Sequence, residues 1–297
     1  MKKDFVLGIG CQKGGTSWLR DQLNSHDKCN FGFTKEYKVF DKLYGVSGNI
    51  AGSFGLKGNF FEKLLKKYSL IRPDKKNPNS YNRDFFLLNQ KNYFDYFDSL
   101  FLNNKKLTTT GDITPSYAGL PEEAFLNIKK NLEEKNFKVK IIFIMRDPLE
   151  RICSQERMIF NKYKNGLNIN PIYKSKIESL GNKNRNKFLE YLYKDPKNIY
   201  RTRYENTINN IEKIFDPEDI FFSLYENLFT KDSFNRLRSF LGIYDLKLDK
   251  SKIINRSPKS TNQLSEETRQ GIFDFYKSTY IFCRRKFNAH LFWNNYY

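Results

Sequence analysis

Residues 5–24 constrain the fold most. Phe5 to Gly10 is a short apolar run bounded by charge and glycine. Gly10-Cys11-Gln12-Lys13-Gly14-Gly15-Thr16-Ser17 follows it, and Trp18, Leu19 and Leu23 then recur at helical spacing over Thr16 to Asn24. Strand, glycine-rich loop and helix in that order have the makings of an anion cradle. Glycines let backbone N–H groups converge, and the helix N-terminus adds a favourable dipole. The unit recurs. Val139 to Met145 is a second apolar run ending in Arg146-Asp147-Pro148, where Asp147 is placed to cap a helix whose first residue is Pro148. A third run, Asp219 to Tyr225, follows a helix-like Thr202 to Phe215 and precedes a helical Asp232 to Leu241. Alternation of this kind specifies an α/β fold, a central and mainly parallel sheet flanked by helices.

Inside that pattern, Tyr44 to Asn59 is rich in glycine, and Arg72 to Arg83 carries Pro73, Pro78 and a cluster of Asn and Lys. Both read as loops. Residues 42–106 are therefore expected to be an elaboration inserted into one domain spanning residues 1–297, and not a separate folding unit. Lys162 to Arg185 reads as a further polar loop. Ser265-Glu266-Glu267-Thr268 is a helix-start signature, and Ile272, Phe275, Tyr276 and Tyr280 share one face of a closing helix that reaches Phe287.

Charge narrows the function classes. The 297 residues include 52 Lys+Arg against 33 Asp+Glu, a net +19, while 39% hydrophobic and 16% aromatic content is enough to fill a core. Lys, Asn, Ile, Phe and Tyr crowd the sequence, as AT-rich coding DNA produces without functional demand. Charge beyond that bias points to anions: phosphate or sulfate groups, acidic polysaccharide or nucleic acid. No zinc-finger spacing or RNA-recognition signature supports a basic nucleic-acid-binding protein, so no nucleic-acid partner is expected. The apolar runs fall far short of the roughly 18–20 residues of a membrane-spanning helix. Met1-Lys2-Lys3 followed by Phe5 to Cys11 imitates a secretory leader, but Asp4 interrupts it and a glycine-rich loop replaces the small-residue cleavage site. A cytoplasmic protein of microbial or viral origin is the expectation. Cys11, Cys29, Cys153 and Cys283 lack CxxC spacing and only His26 and His290 could join them, so neither a metal site nor a disulfide framework is expected.

The loop also bears on the ligand. Laid from Gly10, a triphosphate-binding G-x-x-x-x-G-K-[ST] loop puts Thr16 where its lysine should stand. The lysine is instead at position 13, within the loop, which suits one 5′-phosphate region and no triphosphate. A P-loop kinase using Mg-ATP is the alternative, and it requires a degenerate loop.

Gln12-Lys13-Gly14-Gly15-Thr16-Ser17-Trp18-Leu19 resembles the 5′-phosphosulfate loop of sulfotransferases that use 3′-phosphoadenosine 5′-phosphosulfate (PAPS). Arg146-Asp147-Pro148-Leu149-Glu150-Arg151-Ile152-Cys153-Ser154 resembles the same family's 3′-phosphate site, an Arg at a strand end and a Ser eight residues on. The motif order is most similar to that of the heparan sulfate, carbohydrate-type and bacterial members. The resemblance implies a three-layer, P-loop-like α/β fold and transfer of a sulfuryl group from PAPS. The product is 3′-phosphoadenosine 5′-phosphate (PAP), and no metal is required. It implies donor binding by Gln12, Lys13, Gly14, Gly15, Thr16, Ser17, Trp18, Arg146 and Ser154. Arg256 and Lys259, in Asn255-Arg256-Ser257-Pro258-Lys259-Ser260, resemble a basic loop closing over the 3′-phosphate. A guanidinium at a strand tip can fork onto a phosphate, and Ser154 lies about two helical turns further on. The competing reading of Arg146 is an ion pair with Asp147 or Glu150; a solvated basic loop is the competing reading of Arg256 and Lys259. Arg151 reads as structural and Cys153 as core.

Sulfuryl transfer requires the acceptor hydroxyl or amine to lose a proton as it attacks. Glu36, 23 residues past Lys13 in Lys35-Glu36-Tyr37-Lys38-Val39-Phe40-Asp41, resembles the family's base, with Lys35 and Lys38 beside the acceptor. A surface ion pair with Lys35 or Lys38 is its alternative, and His26 is a rival base placed at the end of the first helix. Gly111-Asp112-Ile113-Thr114-Pro115-Ser116-Tyr117 resembles the family's acceptor-side E-K-T-P-x-Y segment, which implies acceptor contacts for Asp112 and Tyr117; an ordinary strand-to-loop turn is the competing reading. Two residues depart from that segment: Asp112 stands for its Glu, and Ile113 stands where heparan-type enzymes carry a Lys near the acceptor. The resemblance of the Glu36 segment implies a carbohydrate or glycolipid acceptor, with a small alcohol as the alternative.

Overall fold

A computed structural model of the chain describes residues 3–46, 73–74, 76–102, 104–180, 184–252 and 264–293. Among them are five strands, β1 (Lys3–Gly10), β2 (Cys29–Asn30), β3 (Thr109–Ile113), β4 (Phe137–Met145) and β5 (Ile220–Leu224). They pair in parallel throughout, in the order β2-β3-β1-β4-β5. The helices up to β4 are α1 (Thr16–Asn24), α2 (Phe40–Leu43), α3 (Arg83–Leu88), α4 (Lys91–Ser99) and α5 (Glu122–Glu133). Beyond β4 come α6 (Pro148–Lys164), α7 (Pro171–Leu180), α8 (Arg185–Lys194), α9 (Pro196–Thr202), α10 (Tyr204–Glu212), α11 (Lys231–Leu241), α12 (Glu266–Phe275) and α13 (Lys277–Phe287).

β1 lies at the centre, Val6 standing opposite Gly111 of β3 and Lys140 of β4. Because side chains alternate across a strand, the central strands feed two cores. Phe5, Leu7 and Ile9 join Ile141, Phe143 and Met145 beneath α4, α5, α6 and α10. Val6, Ile142 and Ile144 join Trp18, Leu19 and Leu23 of α1 and Leu237 and Leu241 of α11. This is the three-layer arrangement expected from the sequence. Burial on both faces is why β1 and β4 appear as unbroken apolar runs. Asp4, the residue that interrupts the leader-like start, is buried with its Oδ2 2.7 Å from Lys140 Nζ.

Asp147 caps α6 as its position before Pro148 predicts, accepting from Leu149 N at 2.8 Å and Glu150 N at 3.4 Å. The expected polar loop over Lys162 to Arg185 is instead largely helical. α6 runs to Lys164, and α7 starts at Pro171 and buries Tyr173 and Ile177, a spacing of four that puts both on one face. The closing helix is two helices that meet at Tyr276, whose hydroxyl donates to Tyr193 O at 2.8 Å. Much of the expected insertion, residues 47–72, lies outside the described residues. Its later part packs Phe94 and Phe97 of α4 into the core beneath β1, Phe97 meeting Phe5 edge-on at 4.9 Å. No helix among the described residues is long and apolar enough to cross a membrane.

The carboxyl ends of β1, β3, β4 and β5 open at one rim of the sheet. They lead into the Gly10–Ser17 loop, Thr114, Arg146 and Tyr225 respectively, where open parallel sheets bind ligands.

Candidate active site

The loop after β1 turns back tightly on the sheet. Cys11 N donates to Ile144 O at the end of β4, and Gly14 N donates to Cys11 O at 3.0 Å. A Cβ at Gly14 would stand 3.0 Å from both Cys11 O and Ile144 O, and Gly15 has φ +84°, so these two glycines are dictated by close approach and backbone conformation. Lys13 itself has φ +71°, an uncommon conformation for a long side chain. α1 starts at Thr16 and Ser17 with neither a side-chain cap nor an acidic residue in its first turn, which leaves its first N–H groups and positive dipole end facing the loop.

Cations converge on this loop. Arg146 follows β4 directly, and its Nη1 donates to Lys13 O at 3.1 Å while its guanidinium lies over the Tyr225 ring, 4.6 Å from the centroid. Tyr204 donates its hydroxyl to Arg146 O at 2.7 Å, which fixes the strand tip. Burial first, then the like charges of Arg146, Arg157 and Lys162, draw the Lys13 ammonium below the ordinary lysine range. Arg146 Nε and Arg157 Nε are buried without a hydrogen-bond partner. Ser154 is buried on α6, one helical turn before Arg157. The competing reading of Arg146 is present in a weak form: Nη2 lies 3.5 Å from Glu150 Oε2, whose side chain is about half exposed at 47%. Arg151 bonds to the neutral side chains of Gln155 and Asn198.

On the acceptor side, Glu36 lies partly exposed with its Oε2 2.9 Å from Lys38 Nζ, the pairing that its surface reading foresees. Lys35 reaches Asp21 of α1 at 3.5 Å. The segment around them is braced from several directions. Arg20 Nη2 donates to Gly32 O and Thr34 O, Tyr37 donates its hydroxyl to Phe31 O, and Thr114 Oγ1 accepts from Tyr37 N at 3.1 Å.

Asp112 and Tyr117, which the resemblance places against the acceptor, are fully enclosed. Asp112 accepts hydroxyl protons from Thr114 at 2.6 Å, Tyr117 at 2.9 Å and Tyr93 at 3.0 Å. Burial exceeds the effect of these bonds and raises its carboxyl to about 7. Tyr117 Oη accepts from Val39 N at 3.1 Å. Both residues thus support the Glu36 segment from within. The Trp18 ring stacks on Phe234 and donates Nε1–H to Asp249 O at 2.8 Å, so its side chain belongs to the core under α11. His26 sits at the end of α1 between Asp27 and Asp245, at 3.3 and 3.4 Å, and packs there. Arg256 and Lys259 lie outside the described residues.

Arg157 and Arg201 are absent from the sequence-level site. Arg157 follows Ser154 by one helical turn, a spacing that could have revealed it. Arg201, on α9, donates from Nη1 to Gln12 Oε1 at 3.2 Å. No local pattern marks it.

These elements define a P-loop-like three-layer α/β protein with an anion cradle at the sheet's carboxyl rim. The chain has the sulfotransferase fold. It is similar to the crystal structure of a sulfotransferase from Alicyclobacillus acidocaldarius, with a TM-score of 0.51 and 14% identity over 94% of this chain and 93% of that one. It is also similar, at TM-scores of 0.42 and 0.43, to a sulfotransferase domain from the curacin biosynthetic pathway and to a sulfotransferase from Mycobacterium avium. The first is 16% identical and covers 93% of this chain and 98% of that one; the second is 13% identical and covers 94% and 76%. No family model and no curated protein matches the sequence.

Proposed function

We propose that the protein is a PAPS-dependent sulfotransferase acting on a hydroxyl or amine of a carbohydrate or glycolipid. One observation carries the reading: Arg146 at the end of β4 is bonded to the carbonyl of Lys13, so the two motifs meet at one anion site. A nucleotide with phosphates at both its 5′ and 3′ positions suits that site. Lys13 with the cradle amides, Thr16 and Ser17 takes the 5′ end, and Arg146 with Ser154 takes the 3′-phosphate.

PAPS supplies the sulfuryl group when bound. Glu36 takes the acceptor proton, and Lys13 stabilises the charge that builds on the leaving phosphate oxygen. The net charge of +19 and the exposed ring of Phe33, three residues before Glu36 and seated edge-on against Tyr37, favour an acidic or sugar-bearing acceptor. The test is calorimetric titration of the protein with PAP in EDTA beside ATP with Mg²⁺. Metal-free PAP binding well above ATP binding is expected; preference for Mg-ATP would return the kinase reading, and salt-sensitive binding to nucleic acid with none to PAP would return the basic-binder reading.

A further inference from the structure

Arg201, on α9, has no direct ion pair among the described residues. Its Nη1 bonds to the neutral Gln12 side chain at 3.2 Å, and its Nε is buried with no hydrogen-bond partner. Among the described residues no carboxylate stands within ion-pair distance of it. Burial, and then the like charge of the enclosed Arg151, draw it below the ordinary arginine range; Tyr173, Asp41 and Glu36 act in the opposite sense. Asp41 exerts its pull through space, because its Oδ2 accepts from Ser116 at 2.6 Å and its Oδ1 is buried without a partner. A desolvated guanidinium with spare donors is costly to keep unless an anion completes it.

The surroundings say which anion. Arg146 and Arg157 act on Lys13, whereas Arg201 holds Gln12, the residue before Lys13, and feels the carboxylates of Asp41 and Glu36. An anion on Arg201 would stand beside Gln12, next to Lys13 in the loop and within the influence of Asp41 and Glu36. We infer, resting on the donor assignment above, that Arg201 binds the oxygens of the sulfuryl group during its transfer. The acceptor oxygen or nitrogen forms its bond to sulfur as its proton passes to Glu36. The bond from sulfur to the 5′-phosphate oxygen breaks, and its electron pair leaves on that oxygen to give PAP. The forked guanidinium spans two sulfuryl oxygens throughout, and Gln12 Oε1 fixes its plane.

PAP and PAPS differ by this one group, so their affinities isolate the contact. The experiment is calorimetry of the wild-type, Arg201→Gln and Arg201→Lys proteins with each nucleotide in EDTA, without acceptor. Expected is PAP affinity within about twofold of wild type in both variants. PAPS affinity should fall by about tenfold or more in Arg201→Gln and by less in Arg201→Lys, as a lost charge-assisted pair predicts. An equal fall for both nucleotides would reduce Arg201 to a brace for Gln12, and affinities for both that stay within about twofold of wild type would remove it from the site. Should the glutamine variant not fold, the ratio in the lysine variant decides. Failure of the wild-type protein to bind either nucleotide would instead overturn the donor assignment itself.

Discussion

Asp112 Oδ1 stands 2.6 Å from Thr114 Oγ1, and the same hydroxyl oxygen accepts the backbone N–H of Tyr37. With Tyr117, which links Asp112 to Val39 N, this makes two routes from one buried carboxyl to the backbone of residues 37–39. Lys38, between them, is held at φ +52°. Asp112 therefore shapes the Glu36 segment from within the core.

The Asp112 carboxyl gives the fold a pH dependence. Its ordinary value is 3.8, and burial raises it to about 7 in the folded protein. Between those values the folded state holds a proton that the unfolded chain has released, so stability is full at low pH and falls as pH rises toward about 7. Asp41, Asp147, Glu156 and Glu226 are raised by burial too and add in the same direction. Asp112→Asn keeps an acceptor for Thr114 and cannot ionise. Its melting temperature should therefore decline less than that of the wild type between about pH 5 and pH 8 in scanning calorimetry. Equal slopes for the two proteins would show that Asp112 does not titrate in this range.

Glu36 faces two readings, and the 2.9 Å contact with Lys38 is common to both. A surface pair at this exposure contributes about 0–1 kcal/mol and its loss leaves catalysis alone. A general base contributes roughly 10²–10⁴-fold. Glu36→Gln should accordingly lower kcat by about that factor with PAP affinity preserved. Lys38→Ala removes the same pair and spares the carboxylate, so it should retain most of kcat, with any loss confined to KM for the acceptor. Matching losses in the two variants would make the pair, and not the base, the important element.

What the sequence revealed follows the range of the interactions involved. The β1-loop-α1 unit and the Asp147-capped start of α6 rest on neighbouring residues, and both are legible from residue order alone. Trp18 sits inside the loop motif yet points into the second core, because one turn of helix carries its ring from the cradle to Phe234. Asp112 stands at the position where the resembled motif has Glu, but β3 is buried along its whole length. Arg201 reaches Gln12 across 189 positions of chain, and no periodicity encodes that encounter.

Lys13 should impose an alkaline limit on turnover. Burial and three neighbouring cations lower its pKa, so it loses its proton at a lower pH than an ordinary lysine, whose value is 10.5. The ammonium is the form that stabilises a leaving phosphate oxygen, so kcat/KM, which follows the groups of the free protein, should fall on the alkaline side at a pH below that value. Lys13→Arg, which stays charged, should shift the fall upward or abolish it. Lys13→Ala should cost about 10²–10³-fold, the usual effect of removing one charge-stabilising donor. A profile that is flat into the ordinary lysine range would mean that Lys13 does not meet developing charge.

Arg146 has two duties that can be separated. Its Nη1 supports the loop at Lys13 O, and its remaining donors, with Nε buried and unpartnered, suit the 3′-phosphate. Adenosine 5′-phosphosulfate lacks that phosphate and differs from PAPS in nothing else. If the second duty dominates, Arg146→Ala should weaken PAPS binding by about 10–100-fold, the worth of a charge-assisted contact, and leave adenosine 5′-phosphosulfate within about threefold. Arg146→Lys should recover only part of the loss, because an ammonium cannot fork onto two oxygens or lie flat on the Tyr225 ring. Equal losses for both nucleotides would assign Arg146 to the loop alone and require the 3′-phosphate to be held elsewhere.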